Sequence, residues 1–174
     1  VYPDEGNITL RKNRDMLFSG RVVGGTADFI GTNSFFDYDT FDIKMNNVDS
    51  MILYVESTEV DDFGNPLYLP VKTSFSILQG KLQIDRADNK SSREDYPEYP
   101  IFFSYSTSAA DYEKKEVFNN AYKKDEFYFK VDPFTIESLD DVDYTTLRFG
   151  GSMISDGIFP EFREELSLQP DRSL

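Results

Sequence analysis

Carboxylates are the most abundant groups in this sequence that could do chemistry. Asp and Glu number 32 against 18 Lys and Arg, which gives a net charge of −14, and there is no His and no Cys. The sequence therefore lacks an imidazole base, a thiol nucleophile, zinc-finger ligands and disulfides. Without His a Ser-His-Asp triad is impossible, and no G-x-S-x-G elbow, P-loop or G-x-G-x-x-G loop occurs.

Three acidic stretches have oxygen donors at spacings that could serve a hard cation, since calcium takes about six to eight oxygen ligands from such loops. The stretches are Asp85–Lys90, then Glu59 with Asp61 and Asp62, and finally Asp140 with Asp141 and Asp143. The first lacks the EF-hand order, because it has neither the turn glycine nor the bidentate Glu. The alternative is a set of solvated loops with Asx turns at Asp88 and Asn89. We predict no metal, no cofactor and no catalytic residue set.

Two further site types are weakly indicated. Paired carboxylates about 5–9 Å apart can hydrolyse glycosides, but with 32 acidic residues some pair will meet almost any distance. A sugar-stacking platform could use Tyr96, Tyr99, Phe102 and Phe103, yet the sequence has no Trp. We predict that these aromatic residues pack in the core and in turns.

The charge balance also limits the partners. Nucleic-acid binding needs a basic patch that releases counterions, and the longest basic runs are Lys114-Lys115 and Lys123-Lys124. We predict no nucleic-acid binding and no attraction to an anionic membrane surface. No run approaches the roughly 18–20 apolar residues of a membrane-spanning helix, so we expect no direct membrane insertion. A cationic partner or divalent cations would suit the charge.

Alternating apolar and polar residues, the signature of half-buried strands, are the main structural pattern. Clear alternation runs through Phe41–Met45, Leu78–Ile84 and Phe127–Val131. Further predicted strands are Ile8–Leu10, Met16–Val23, Ala27–Ile30, Met51–Val55, Ile101–Tyr105, Thr145–Ile154 and Glu164–Leu168. Predicted turns are Gly24-Gly25, Asn46-Asn47, Gly64-Asn65-Pro66 and Asp156-Gly157. The fold class is all-β, with at most one short helix, over Ala109–Lys123.

A shared glycine pattern bears on the architecture. Met16–Val22 and Leu147–Met153 both place apolar residues two and four positions before a glycine and two after it, and Leu78–Leu82 is a shorter version. Such an inward glycine indicates a bulge or a close backbone approach. The pattern and the short strands from Ile8 to Val55 favour a β-solenoid or a stacked two-sheet architecture. An antiparallel β-sandwich is the alternative, because strand count and alternation fit it too.

Four stretches that together span nearly the whole chain resemble a domain of very long cell-envelope proteins of the Bacteroidetes. They are Arg11–Asp15 with Phe18–Gly20, Phe36–Tyr38 and Val48–Ser50; Asn89–Ser91 with Tyr96–Phe102; Phe127–Val131 with Pro133–Asp140; and Ile158–Phe162 with Gln169–Asp171. The resemblance implies export, a multi-domain parent protein and a location in the cell envelope or outside the cell. It implies no activity, because none is assigned to that family.

The length of 174 residues fits one domain, 1–174, which we expect to be a segment of a larger protein. The leading functional hypothesis is a non-enzymatic structural or interaction module that contacts other domains of its parent protein. The alternative is a carbohydrate- or calcium-binding module, which the acidic loops and the many aromatic residues suggest.

Overall fold

The computed structural model describes residues 1–76, 78–111, 123 and 126–174, and it confirms the predicted all-β class. The first strands are β1 Tyr2–Pro3, β2 Thr9–Leu10, β3 Met16–Gly24, β4 Ala27–Asp37, β5 Asp42–Val60, β6 Pro66–Pro70 and β7 Ser74–Ser76. The later strands are β8 Leu78–Gln83, β9 Ile101–Ser104, β10 Ser108–Asp111, β11 Tyr128–Val131, β12 Thr135–Ile136, β13 Arg148–Ile154 and β14 Phe162–Ser167.

The helical content described is small. A 3₁₀ helix spans Asp4–Gly6, and the α-helix α1 spans Ala87–Lys90. The helix predicted over Ala109–Lys123 is wrong at its start, because residues 109 to 111 pair as part of strand β10 with both β7 and β11. Most of the remaining predicted helix, residues 112–122, lies outside the described residues.

The strands form one 14-stranded sheet that is not closed into a barrel, and every described pairing is antiparallel. Strand β5 organises it, because its 19 residues pair with β4 along one edge and with β8, β7 and β6 in turn along the other. From β8 one branch continues through β9 to β12. The second branch runs from β7 through β10, β11 and β13 to β14.

The two branches enclose one cluster of buried apolar side chains. Phe29 of β4 contacts Phe102 of β9 with ring centroids 4.8 Å apart, although these strands are not hydrogen-bonded neighbours. Phe75 of β7 contacts Phe149 of β13 at 4.7 Å and Phe134 at 5.5 Å. The stacked-sheet and sandwich descriptions are compatible with this packing. Antiparallel pairing throughout the described strands is the arrangement of the sandwich alternative and differs from a parallel solenoid.

The shared glycine pattern marks close backbone approaches, as predicted. A Cβ on Gly20 would lie 2.4 Å from the carbonyl oxygen of Tyr2, and one on Gly80 would lie 2.4 Å from that of Phe103. At Gly151 the Lys130 oxygen would be 2.2 Å away. Each glycine therefore lets the backbone of a neighbouring segment come close. The glycine pattern shared by the three segments reflects this close approach and not the stacked coils of a solenoid.

Candidate functional site

The acidic stretch ending at Gly64 forms the tip of a hairpin between β5 and β6. One carboxylate oxygen of Asp61 accepts hydrogen bonds from the backbone N–H of Phe63 at 2.8 Å and of Asn65 at 2.9 Å. Its second oxygen accepts from the side-chain amide of Asn65 at 3.1 Å. These hydrogen bonds, first that of the Asn65 side chain, lower the pKa of Asp61. The Asp61 carboxylate thus stabilises the turn in which it lies.

The acidic stretch from Asp140 to Asp143 is also a turn. Asp143 accepts hydrogen bonds from the hydroxyl of Thr145 at 2.6 Å and from its backbone amide at 2.9 Å. Both bonds, that of the hydroxyl first, lower the pKa of Asp143. Across the part of the chain that the structure describes, no group of three or more acidic side chains is placed to hold a metal ion.

The stretch Asp85–Lys90 begins a loop that reaches Tyr99 and contains helix α1. The Asn89 side chain donates to Asp85 at 2.7 Å and accepts from the backbone of Tyr96 at 3.1 Å. Arg86 bonds Asp88 through Nε at 3.2 Å and Nη2 at 3.1 Å, while its guanidinium lies 4.4 Å from the ring centroid of Tyr96. These contacts connect the loop through its own side chains, but they are not the Asx turns predicted at Asp88 and Asn89. The Asp88 carboxylate bonds the Arg86 side chain, and the Asn89 oxygen accepts from a residue seven positions on.

A polar pocket lies between this loop, the end of β8 and the turn before β5. Its volume is about 430 Å³, and it is lined by Thr40, Gln83, Asp85, Arg86, Asp88, Arg93 and Tyr99. Lys90 lies 4.0 Å from the ring centroid of Phe41, and the Phe41 carbonyl accepts from the amide of Ile84 at 3.2 Å. These two contacts connect the turn before β5 to the loop and to the end of β8.

The four aromatic residues considered as a sugar platform separate in the structure. Phe102 is fully buried, and Phe103 carries Lys81 over its ring at 5.4 Å. Tyr96 stacks under Arg86, and only Tyr99 lines the pocket. Partial burial raises the pKa of the Tyr99 phenol. The four therefore form no continuous platform, and the prediction of core and turn packing fits Phe102 best.

Sequence reasoning missed Thr40, Gln83 and Arg93 as pocket residues. Thr40 and Gln83 are 43 positions apart and meet because Asp42 of β5 pairs with Gln83 of β8. Nothing in the local sequence indicates that pairing. Arg93 stands in a polar stretch whose path depends on the hydrogen bonds within the loop, such as that from its amide to the Asp88 carbonyl at 3.0 Å.

A second exposed feature is the arm, which we define as residues 56–68, the outer part of the β5–β6 hairpin. Its apolar side chains are uncovered: Phe63 is 90% exposed, Val60 57%, Tyr68 51% and Leu67 36%. The arm also holds Glu56, Glu59, Asp61 and Asp62, and residues 56–68 include no Lys or Arg. It therefore presents apolar groups on a negatively charged support.

One buried charge was not anticipated from the alternation in β5. The alternation through Phe41–Met45 places Asp42 on the polar face of the strand, yet its side chain is only 5% exposed. One carboxylate oxygen lies 3.8 Å from Nζ of Lys81, and the other has no hydrogen-bond partner among the described residues. The long side chains of neighbouring strands can cover an outward-facing group in this way.

No family model, no curated protein and no solved structure matches this chain. Among the described residues, no helix has the length and apolar character needed to cross a membrane.

Proposed function

We propose that this domain is a non-enzymatic interaction module of a larger exported, envelope-associated protein, and that the arm is its contact surface. The arm is the observation that carries the proposal. Phe63 at its tip is 90% exposed, and Val60 and Tyr68 are each more than half exposed. Four large apolar side chains exposed on one hairpin support a contact site there, because exposed apolar patches commonly mark sites of protein interaction.

The tip is held by hydrogen bonds within its own turn. Asp61 accepts three hydrogen bonds shorter than 3.2 Å, two from backbone amides and one from the Asn65 side chain. Ordering a loop in advance reduces the entropy lost on binding. An exposed aromatic side chain on such a support matches the residue type that dominates binding energy at protein interfaces.

The charge of the arm defines the chemistry of the partner. Four carboxylates and no cationic side chain lie in residues 56–68. Complementary surfaces bring positive charge opposite negative charge. We therefore assign the arm to a neighbouring domain of the same parent protein that offers an apolar pocket for Phe63, bordered by Lys or Arg.

The non-enzymatic part of the proposal is supported by the missing imidazole and thiol groups. It is also supported by Asp61 and Asp143, whose carboxylates bond their own turns. Turnover on panels of glycans and peptides tests this part. A reproducible activity that one carboxylate-to-amide substitution abolishes would refute it.

Site-directed photocrosslinking in the full-length parent protein, in the cells that make it, tests the arm. A photoreactive phenylalanine analogue at position 63 should crosslink to one segment of the parent protein that contains apolar and basic residues. The same analogue at Ile158, which is 68% exposed on another loop, is the control. Asp62→Lys should reduce the yield at position 63. Equal crosslinking at both positions, or no effect of Asp62→Lys, would contradict the proposal.

A further inference from the structure

We infer that the polar pocket beneath the 85–99 loop binds a neutral saccharide. This site is separate from the arm and does not depend on the function proposed for it. The pocket volume of about 430 Å³ falls within the roughly 300–1,000 Å³ of small-molecule sites.

The first argument is the charge balance of the lining. Asp85 and Asp88 face the pocket together with Arg86 and Arg93, so two negative and two positive side chains share it. An anionic ligand would meet the carboxylates, and a cationic ligand would meet the guanidinium groups. A neutral ligand with many hydroxyl groups can donate to the first pair and accept from the second.

The second argument is which of these groups are still available. Arg86 is engaged by Asp88 and by the Tyr96 ring, and one oxygen of Asp85 is engaged by Asn89. In contrast, the side chains of Gln83, Arg93 and Tyr99 make no hydrogen bond within the described part of the chain. An amide, a guanidinium and a phenol are therefore free to bond neighbouring hydroxyl groups.

The third argument is that contacts within the loop fix the residues around the pocket. The side chain of Asn89 joins both ends of the loop, through Asp85 at 2.7 Å and Tyr96 at 3.1 Å. Lys90, 4.0 Å from the ring centroid of Phe41, connects the loop to the turn before β5. Such a site loses less conformational entropy when it binds. The Tyr99 ring adds an apolar surface to a mainly polar lining, which suits the C–H face of a sugar ring.

Titration calorimetry and heteronuclear NMR of the 174-residue chain test the inference. The probes are soluble neutral glucans, mannans, xylans and galactans, with polygalacturonate and calcium chloride as separate arms. We expect at least one neutral glycan to bind and to shift the backbone signals of Gln83, Arg93 and Tyr99.

Variants then locate the site. Arg93→Ala and Tyr99→Phe should each weaken binding by up to about tenfold, the effect of one lost hydrogen bond. The matched controls are Arg148→Ala and Tyr105→Phe, because both residues are exposed and lie outside the pocket. They should bind like the unaltered chain.

Three results would overturn the inference: no neutral glycan binds the folded chain, only polygalacturonate or calcium binds, or Arg93→Ala and Tyr99→Phe bind as tightly as the controls. None of these results bears on the arm, whose crosslinking is measured separately. Failure of the pocket and failure of the proposed interaction function are therefore distinguishable.

Discussion

Several carboxylates in this chain accept hydrogen bonds from donors nearby in the sequence. Asp61, Asp143 and Asp171 each bond groups two to four residues ahead, and Asp171 also pairs with Lys72 at 2.9 Å. Each of the three has a pKa below its ordinary value because those donors stabilise the charged form. These three carboxylates thus have a local structural role, and in two of the three acidic stretches considered for a cation, one carboxylate bonds its own turn.

Core aromatic residues carry much of the stability at the residue scale. Phe75 is fully buried and contacts Phe134 and Phe149. Phe75→Ala should lower the free energy of unfolding by about 3–5 kcal/mol, through lost burial and a residual cavity. Urea denaturation measures it. Phe63→Ala is the control and should change stability by less than about 0.5 kcal/mol, because Phe63 is exposed. Similar losses in both variants would contradict the assigned core.

Two adjacent glycines allow a test of the close strand approach. A Cβ on Gly151 would lie 2.2 Å from the Lys130 oxygen, whereas one on Gly150 would have its nearest neighbour 3.9 Å away. Gly151→Ala should therefore destabilise the fold by about 1–3 kcal/mol through overpacking. Gly150→Ala should be neutral or stabilising by up to about 1 kcal/mol. Thermal unfolding of both variants measures the two changes in stability. Equal changes would argue against the β11–β13 register.

At the scale of elements, the sequence predicts strands well where one face is buried. Alternation located most of β3, β8, β11 and β13, because Leu82 or Val131 must face the core while their neighbours face water. It failed for β5, which was predicted as two strands with a turn at Asn46-Asn47. The structure continues through those residues, and the register of β5 with both of its neighbours shifts close to them. The predicted turn is thus an irregularity inside one strand.

Short strands such as β7, β10 and β12 were missed for a different reason. Two to four residues are too few to show a period, and Ala109 and Ala110 favour a helix by propensity. Their conformation is decided by tertiary pairing, as Ala110 lies opposite both Phe75 and Phe129. The pocket could not be predicted either, because it also depends on tertiary pairing, here that of β5 with β8.

The order of the arm should depend on pH through Asp61. Its folded pKa lies below the ordinary value of 3.8, so its stabilising effect is complete above about pH 3.8. That effect is lost as the pH falls through the lowered pKa. We expect amide exchange at Phe63 and Asn65 to show greater opening in that acid range than the intrinsic pH dependence of exchange explains. NMR measurements over this range check it.

Two variants separate this effect from general acid unfolding. Asp61→Asn keeps an acceptor but cannot titrate, so the acid-dependent opening at Phe63 and Asn65 should disappear. Asp62→Asn removes the adjacent carboxylate, which makes no side-chain hydrogen bond within the described part of the chain, and should retain the transition. A transition that persists in Asp61→Asn would assign the effect elsewhere.

For the whole molecule, two edge strands of the sheet carry residues that discourage edge-to-edge association. Strand β6 begins at Pro66 and ends at Pro70, and proline cannot donate a ladder hydrogen bond. Strand β14 carries Arg163, Glu164 and Glu165 in succession. Charges and prolines on edge strands are common protection against aggregation. These two edges are therefore poor templates for strand addition, in keeping with the proposal that contacts form through the arm.

The net charge of −14 has a consequence for the stability of the whole molecule. Like charges repel one another more in the compact state than in the unfolded chain. Ion pairs such as Lys72 with Asp171 at 2.9 Å act in the opposite sense, but both of these side chains are about half exposed, and exposed pairs contribute little. The repulsion should therefore exceed the attraction, and screening it should stabilise the fold.

Raising the salt concentration tests whether the charge repulsion or the attraction within the ion pairs is larger. The Debye length falls from about 30 Å at 0.01 M to about 8 Å at 0.15 M, so sodium chloride should raise Tm by about 2–4 °C, equivalent to about 1 kcal/mol. Tetramethylammonium chloride should act equally, because screening depends on ionic strength and not on the identity of the cation. Glu5→Lys, a reversal at an exposed site, should reduce the rise. A Tm that falls with salt would show that the ion pairs outweigh the repulsion, and a rise confined to one cation would indicate a specific binding site.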